Sequence, residues 1–395
     1  MTFSFKITAK DKNSRARAGV ITTAHGKMET PYLIPVATRG QIIFLTNSDL
    51  EKIKPQALLA NTYHLYLLKY KEIKKARGLH NFMNFHRPIF TDSGGFQAFS
   101  LGWGKVHGVK KIGFFPEDRK TTENEEERLA IVTEEGVKFK SVYDNSEHFI
   151  TPEKSMEIQS NLGADIIMAF DECTSPRSNK SYTKKAVDRT HKWAIKSLKN
   201  KDPRQALYGI IQGGYFKDLR IKSTKFISSL PFEGIAIGGS LGNTKENMHE
   251  VLDWITPLLD NRPRHMLGIG RIDDLFECVA RGIDTFDCVD MTRVARHKHL
   301  YISPNSGGLQ RNKFRIAISK KQYEKDNKPI DKKCTCQTCK SRTRADVYKL
   351  FKTDKAKYYR VATVHNVSFM NFLCAEIRAS IKQGTFKKLK KEWLG

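Results

Sequence analysis

Three cysteines lie within six residues near the end of the chain, at Cys334, Cys336 and Cys339, and a histidine follows at His365. Three soft sulfur ligands and one imidazole form a complete tetrahedral shell for Zn²⁺ and leave no position open for water. We therefore expect one structural zinc ion. It would hold together a lysine-rich lobe that is too polar to build a core of its own.

A second possible metal pair is His297 and His299, which alternation would place on one side of a strand. Their surroundings are basic, and no carboxylate cluster near them completes a site. This pair is the weaker candidate for a catalytic metal.

Three aspartates, Asp92, Asp171 and Asp287, each lie near the end of a short apolar stretch. If those ends meet, the three carboxylates face one pocket, which is acidic within a basic protein. Such a contrast suggests a substrate with an anionic backbone and a reacting part rich in hydrogen-bond donors, as in a guanine of RNA. Asp171 could accept from the N1–H and the 2-amino group of guanine, while Gln212 could donate to O6.

Two carboxylates that face one sugar suit a double displacement at the anomeric carbon, in which one attacks and the other moves the proton. A ribosyl ester that is shielded from water can be returned to a different base. The acids therefore indicate base exchange on a nucleic acid. For any one of these aspartates, the alternative is a purely structural role, in which the side chain only forms a hydrogen bond at the end of a strand.

Eight short β-prone apolar stretches, separated by segments with helical spacing, could position these acids. They are residues 31–38, 57–64, 88–96, 164–172, 206–214, 233–240, 264–270 and 283–289. The alternation predicts a closed (β/α)₈ barrel, although an open doubly wound sheet gives the same local signals. Polar residues and glycines gather where these stretches end, as expected for a barrel enzyme.

Two of the intervening segments carry clear helix signals. Residues 151–163 begin with a Thr151 cap and Pro152 and end at Gly163, and residues 271–282 place their apolar side chains on one face. The segment from about 102 to 130 is densely charged, which predicts a mobile surface insertion.

The chain has 395 residues, with 69 Lys and Arg against 42 Asp and Glu, a net charge of +27. That excess favours a nucleic-acid partner, although a generally lysine-rich composition would give the same charge. No apolar stretch is long enough for a signal peptide core or a membrane span, so we expect a cytoplasmic protein without a membrane partner. We expect the barrel in residues 1–300, and the zinc-binding subdomain with closing helices in residues 301–395.

Several motifs carry a resemblance to a known family: TDSGGFQ (91–97), FDECT (170–174), IQGG (211–214), AIGG (236–239), FDCV (286–289) and the Cys₃His set. From near the N-terminus to about residue 385, the chain resembles the bacterial-type tRNA-guanine transglycosylases, or queuine tRNA-ribosyltransferases. The resemblance implies a barrel with a zinc subdomain and a homodimer. It also implies an exchange reaction in which a 7-deazaguanine base replaces the wobble guanine of GUN anticodons. These anticodons belong to the tRNAs for Asp, Asn, His and Tyr.

The same resemblance implies roles for individual residues. Asp287 would attack ribose C1′, and Asp92 and Ser93 would supply proton transfer and base contacts. The other implied contacts are stacking by Phe96, a backbone donor at Gly239, substrate binding by Leu267, and anticodon-loop contacts by Arg293 and Arg296.

Two features of the motifs bear on the incoming base. The chain has Ser240, Leu241 and Gly242 where enzymes that use preQ1 typically have Leu-Ala-Val, so a roomier pocket at Gly242 could admit queuine. Cys173 matches the preQ1 type, and preQ1 is favoured. Two further alternatives are a barrel enzyme that acts on DNA or another RNA position, and a non-catalytic RNA-binding subunit. Intact Asp92 and Asp287 oppose the latter.

Overall fold

The computed structural model describes residues 3–96 and 130–395. Its strands, in chain order, are β1 (Ser4–Lys10), β2 (Arg17–Thr23), β3 (Gly26–Thr30), β4 (Tyr32–Ala37), β5 (Leu58–Ala60), β6 (Ile89–Thr91), β7 (Ala130–Val132), β8 (Val137–Lys140), β9 (Glu147–Ile150), β10 (Ile166–Met168), β11 (Ala206–Ile211), β12 (Gly234–Ile237), β13 (Arg264–Met266), β14 (Thr285–Cys288), β15 (His299–Tyr301) and β16 (Arg315–Ala317). Its α-helices are α1 (Asn47–Ile53), α2 (Thr62–Lys75), α3 (Leu79–Met83), α4 (Pro152–Leu162), α5 (Lys180–Asn200), α6 (Lys217–Ser229), α7 (Lys245–Ile255), α8 (Ile272–Ala280), α9 (Asp290–Arg296), α10 (Gln337–Ser341), α11 (Arg344–Thr353), α12 (Lys355–Lys382) and α13 (Phe386–Leu394). The charged insertion expected at about 102–130 lies outside the described residues, except for the first residue of β7.

Eight parallel strands form a closed barrel in the order β4, β5, β6, β10, β11, β12, β13, β14. The barrel closes where Phe286 in β14 pairs with Leu33 in β4. Each of the eight apolar stretches contains one of these strands, so the predicted (β/α)₈ barrel is confirmed and the open sheet is excluded. Strand β11 is buried along its whole length, as expected for a parallel strand that is covered on both faces.

The two helices predicted from their end signals are also present. The side chain of Thr151 accepts a hydrogen bond of 3.2 Å from the backbone N–H of Lys154 at the start of α4. The helix ends at Gly163, whose φ of 70° lies in the left-handed region that glycine tolerates best. Helix α8 buries the apolar face that its sequence predicts. No described helix combines the length and apolar character needed to cross a membrane.

The antiparallel sheet β1–β3 is attached to the amino end of the barrel. Arg17 in β2 pairs with Asp284, which precedes β14, at 2.6 Å with both groups buried. His25, between β2 and β3, and His80 in α3 lie 2.8 and 3.0 Å from the oxygens of Asp165, which precedes β10. The side chains predicted to be functional follow the opposite, carboxyl ends of the strands.

The segment from β15 to the end of α13, which we call the C-terminal lobe, contains short strands and helices, and its long helix α12 also packs on the barrel. Tyr32 in β4 donates a 2.8 Å hydrogen bond to Asn371, and Arg378 donates one of 3.0 Å to the carbonyl of Pro31. Because α12 contacts both parts, the division at residue 300 stays a prediction.

The lobe contains an apolar cluster of its own, which includes Leu300, Ile302, Ile318, Ile330 and Val347. The expectation that the lobe is too polar to build a core is therefore wrong. Metal ligation would add to this small core rather than replace it.

Candidate active site

Asp92 directly follows β6 and is fixed by the start of the neighbouring helix α2. The backbone N–H of Thr62 donates to Asp92 Oδ1 at 2.8 Å, and the side-chain amide of Asn61 donates to Oδ2. Asn61 also caps α2 by accepting from the backbone N–H of His64 at 3.0 Å. The end of β5 therefore orients the carboxyl group that follows β6.

The environment of Asp92 changes its proton affinity. Burial, reinforced by the charge of Asp287, raises the pKa of Asp92 from 3.8 to about 7, against the opposing hydrogen bonds from Thr62 and Gly94. A carboxyl group that titrates near neutral pH can both donate and accept a proton at the pH where the protein works.

Asp287 lies in β14 and is oriented from β13. Its Oδ1 accepts a 2.9 Å hydrogen bond from the backbone N–H of Gly268 and lies 3.2 Å from Nε2 of His265. The other ring nitrogen of His265 lies 2.9 Å from the hydroxyl of Thr285. The imidazole is fully buried, whereas the Asp287 side chain keeps 15% of its surface exposed. The carboxylate is therefore held in position and still open to a substrate.

Asp171 follows β10 and lies in a buried polar group with Ser93 and Gln212. Ser93 donates to its Oδ1 at 3.2 Å and the amide of Gln212 donates to its Oδ2 at 2.7 Å. Burial raises the pKa of Asp171 to about 6, although these two hydrogen bonds lower it. The carbonyl oxygen of Gln212 is buried without a hydrogen-bond partner among the described residues. A buried acceptor without a partner is costly, and a ligand with N–H groups would satisfy it.

Gly239, which follows β12, packs closely on Cys173. A Cβ at Gly239 would lie 1.8 Å from the Cys173 sulfur, so only glycine fits there. Gly242, which has a φ of 96°, lies against Asn247 in α7. A Cβ at this position would lie 2.4 Å from Cβ of Asn247, so the close packing also requires glycine here.

A fully buried guanidinium, that of Arg220 in α6, connects the loops after β11 and β12. It donates to the carbonyls of Ile211 and Gly214 at 3.1 and 2.8 Å. It also donates to the carbonyls of Gly238 and Ser240 at 3.0 and 2.9 Å. These loops carry Gln212 and Gly239, so Arg220 fixes both in relation to each other.

The remaining sequence-predicted residues lie on or near the same rim. Phe96 and Leu267 are partly buried, Arg293 is partly buried in α9, and Arg296 at the end of that helix is exposed. Partial desolvation of its guanidinium, together with the charge of Arg293, lowers the pKa of Arg296. Two cations placed so close together favour an anionic partner.

The supporting residues Asn61, Thr62, His265, Gly268 and Arg220 were not identified from the sequence. A signal existed for His265, a polar residue inside an apolar barrel strand, and for Asn61, a polar residue directly after one. Arg220 had no such signal, because it lies in a helix and acts through backbone carbonyls of two loops.

The three cysteines and His365 converge in the C-terminal lobe. Nδ1 of His365 lies 3.8, 3.6 and 3.3 Å from the sulfurs of Cys334, Cys336 and Cys339. Its Nε2 lies 2.8 Å from the carbonyl of Tyr301, which fixes the tautomer with Nδ1 facing the sulfurs. These four residues could hold a metal ion, and thiolates with an imidazole are the donors that Zn²⁺ prefers.

His25, His80 and Asp165 form a second group of possible ligands. The two imidazole rings stack at 3.4 Å with an angle of 16° between their planes. A metal bound to a ring nitrogen lies near the plane of that ring, and one ion cannot lie near two parallel planes this far apart. The group is therefore a hydrogen-bonded contact between the N-terminal sheet and the barrel.

In the pair His297 and His299, considered above as a possible metal site, Nδ1 of His299 lies 2.6 Å from the carbonyl of His297. That nitrogen is therefore engaged by the backbone.

The fold and the site together define a (β/α)₈ barrel enzyme with a carboxylate pair at the carboxyl end of its strands. A family model described as queuine tRNA-ribosyltransferase matches residues 11–395. A protein of Archaeoglobus fulgidus is 50% identical, with 100% of both chains covered. The queuine tRNA-ribosyltransferase of Roseiflexus sp. (strain RS-1) is 43% identical over 100% of both chains. That of Halothermothrix orenii is 42% identical over 100% of this chain and 98% of its own. The chain belongs to the queuine tRNA-ribosyltransferase family, and it is a pentosyltransferase.

Proposed function

We propose that this enzyme exchanges the wobble guanine of tRNAs with GUN anticodons for a 7-deazaguanine base, through a ribosyl ester on Asp287. The observation that carries the proposal is the relation between Asp287, which is held in position and partly exposed, and Asp92, whose pKa of about 7 suits a proton carrier. Family membership supports tRNA as the polymer.

In the first half of the cycle, an oxygen of Asp287 attacks ribose C1′ and the bond from C1′ to the guanine breaks. The electron pair of that bond goes to the base, which leaves with a proton supplied by Asp92. In the second half, the incoming base gives its proton to Asp92 and attacks C1′, which releases the carboxylate of Asp287.

The base itself would be bound by Asp171, Gln212 and the backbone at Gly239, with Ser93, Phe96 and Leu267 as further contacts. The carboxylate of Asp171 can accept from adjacent N–H groups of guanine. The Gln212 amide already donates to Asp171, and its second proton remains available for O6. Its unpaired oxygen supplies an acceptor that the sequence argument did not include.

We infer preQ1 rather than queuine as the incoming base. Cys173, which packs on Gly239, is the feature in common with the preQ1 type. Gly242, in place of the valine typical of that type, is the feature that favours queuine. Exchange with queuine is the alternative within the same chemistry, and action on DNA or another RNA position is the alternative substrate.

The four residues Cys334, Cys336, Cys339 and His365 would hold one Zn²⁺ with a structural role, since all four ligand positions come from the chain. The arginines of α9, Arg293 and Arg296, would contact the anticodon loop. A homodimer and a cytoplasmic location remain part of the proposal.

An exchange assay tests the reaction and the substrate together. A tRNA with a GUN anticodon and labelled wobble guanine is incubated with preQ1 or queuine, and released guanine is measured. We expect release with preQ1, and none from a tRNA whose labelled wobble guanine is followed by adenine instead of uracil. Release with queuine alone would overturn the choice of base, and no release with either would overturn the function.

A further inference from the structure

Two loops lie between the proposed catalytic aspartates on the barrel rim. Strands β4 and β5 separate β14, which carries Asp287, from β6, which precedes Asp92. Arg39 comes two residues after β4, and His64 comes four residues after β5. The segments that carry Arg39 and His64 therefore line the part of the rim between the two aspartates.

Arg39 is exposed and rests on Tyr143, a residue of the β8–β9 connection. Its guanidinium carbon lies 5.6 Å from the centre of the tyrosine ring, and one of its nitrogens donates to the tyrosine hydroxyl at 3.4 Å. That hydroxyl lies 2.6 Å from Nδ1 of His64. Three segments that are distant in sequence therefore meet to support one cation. Stacking on an aromatic ring restricts the guanidinium before a ligand arrives.

The charge of Arg39 is not neutralised within the described part of the chain. None of the ion pairs found between described residues involves Arg39. Burial, and then the positive charge of Arg39, lowers the pKa of His64 to about 4, so His64 is neutral at pH 7 and its Nδ1 can accept a hydrogen bond from the Tyr143 hydroxyl. A supported cation without a carboxylate partner suits an anion from outside the chain.

We propose that Arg39, supported by Tyr143 and His64, binds a backbone phosphate next to the guanosine whose sugar is held by Asp287. The inference rests on the proposed function and adds a binding residue that no motif indicated. A phosphate contact would set the register of the RNA on the rim without reading its sequence. The alternative is that the three side chains only attach the β8–β9 connection to the barrel.

The test compares Arg39→Ala with Arg204→Ala, which removes the same charge from an 84% exposed side chain near the amino end of the barrel. The substrate is an RNA hairpin with the anticodon loop, either unmodified or with a neutral methylphosphonate at the phosphate on one side of the wobble guanosine. Exchange is measured over a range of salt concentrations. Each protein is also combined with Asp287→Ala, and binding of the hairpin to these proteins is measured by fluorescence anisotropy.

We expect Arg39→Ala to raise KM for the unmodified hairpin about tenfold with kcat nearly unchanged, and to reduce the slope of log KM against log salt by about one. A methylphosphonate at the contacted phosphate should weaken binding to the protein that has Arg39. It should not weaken binding further when Arg39 is already replaced by alanine. Arg204→Ala should behave as wild type, and Tyr143→Phe should give a smaller effect than Arg39→Ala.

The inference is overturned if the effects of Arg39→Ala and of the methylphosphonate on binding are fully additive at both phosphates that flank the wobble guanosine. It is also overturned if Arg39→Ala leaves KM and the salt slope unchanged. In either case wild-type exchange would persist. Failure of the proposed function would be recognised separately, by the absence of exchange in the wild-type enzyme.

Discussion

Asp92 and Asp287 face the same end of the barrel, and the charge of Asp287 adds to burial in raising the pKa of Asp92 to about 7. The carboxylate of Asp287 is held by its neighbours and stays partly exposed, while the raised pKa of Asp92 suits proton exchange near neutral pH. In carboxyl pairs of this kind, the acid whose pKa is raised by its surroundings commonly carries the proton, and its partner acts as the nucleophile.

The first prediction concerns the pH dependence of activity. Because Asp92 must give a proton in one half-reaction and take one in the other, kcat/KM should show an inflection near pH 7. Asp92→Asn should lower kcat by about a hundredfold to ten-thousandfold and remove that inflection. Asp188→Asn, which changes an exposed carboxylate on α5, should leave the pH–rate profile as it is.

The same shift has a consequence for stability. Since the pKa of Asp92 is raised from 3.8 to about 7 in the folded chain, the folded state binds more protons in that range, and stability falls as pH rises through it. Asp92→Asn should therefore raise the unfolding temperature relative to wild type more at pH 8 than at pH 5. An equal change at both pH values would contradict the assignment.

A second prediction concerns Gly239. A methyl group there would meet the Cys173 sulfur at 1.8 Å, so Gly239→Ala should displace the loop after β12 and raise KM for the incoming base. Adding Cys173→Ala removes the sulfur and should restore part of the loss. Kinetics of the single and double variants check this, and the absence of any rescue would show that contact with Cys173 is not the reason for glycine.

A third prediction concerns the buried guanidinium of Arg220. Arg220→Ala removes the donor to the carbonyls of Gly214, Gly238 and Ser240, while that of Ile211 keeps the backbone N–H of Gly238. We expect the free energy of unfolding to fall by about 3–5 kcal/mol. Arg220→Lys keeps the charge but cannot reach all four carbonyls, so we expect it to remain folded with a raised KM for the incoming base and a nearly unchanged KM for tRNA. Urea unfolding and steady-state kinetics distinguish this positioning role from a purely structural one, which would leave both KM values unchanged in Arg220→Lys.

A fourth prediction concerns the Cys₃His group. Purified wild-type protein should contain one zinc ion per chain, and Cys336→Ala should lose it and unfold at a lower temperature. Cys278→Ala, which removes a buried sulfur in α8 outside this group, should keep the ion. Elemental analysis together with thermal unfolding checks both, and full metal content in Cys336→Ala would contradict the assignment of ligands.

Much of the fold was predictable because its signals are local. Each barrel strand is a short apolar stretch, and the residues that follow it are polar or glycine, so Asp92, Asp171 and Asp287 could be placed on one rim before their distances were known. The Cys₃His group was predictable for the same reason, since ligand type and spacing restrict the choices.

What could not be predicted depends on contacts between distant segments. Asn61, His265 and Arg220 act on side chains or loops of neighbouring strands. The polar character of Asn61 and His265 marks their positions in the sequence but not their partners, and Arg220 has no such signal. The apolar cluster of the C-terminal lobe is assembled from scattered residues and was missed. The close approach of Gly242 to Asn247 depends on where α7 packs.

The most direct test of the central claim is to isolate the covalent intermediate. Wild-type enzyme is mixed with an anticodon hairpin in the absence of incoming base, quenched with denaturant, and digested for mass spectrometry. The account predicts a ribosyl ester on the peptide that contains Asp287, lost when preQ1 is added before the quench and absent from Asp287→Asn. An ester on the Asp92 peptide, or undiminished guanine exchange by Asp287→Asn, would contradict it.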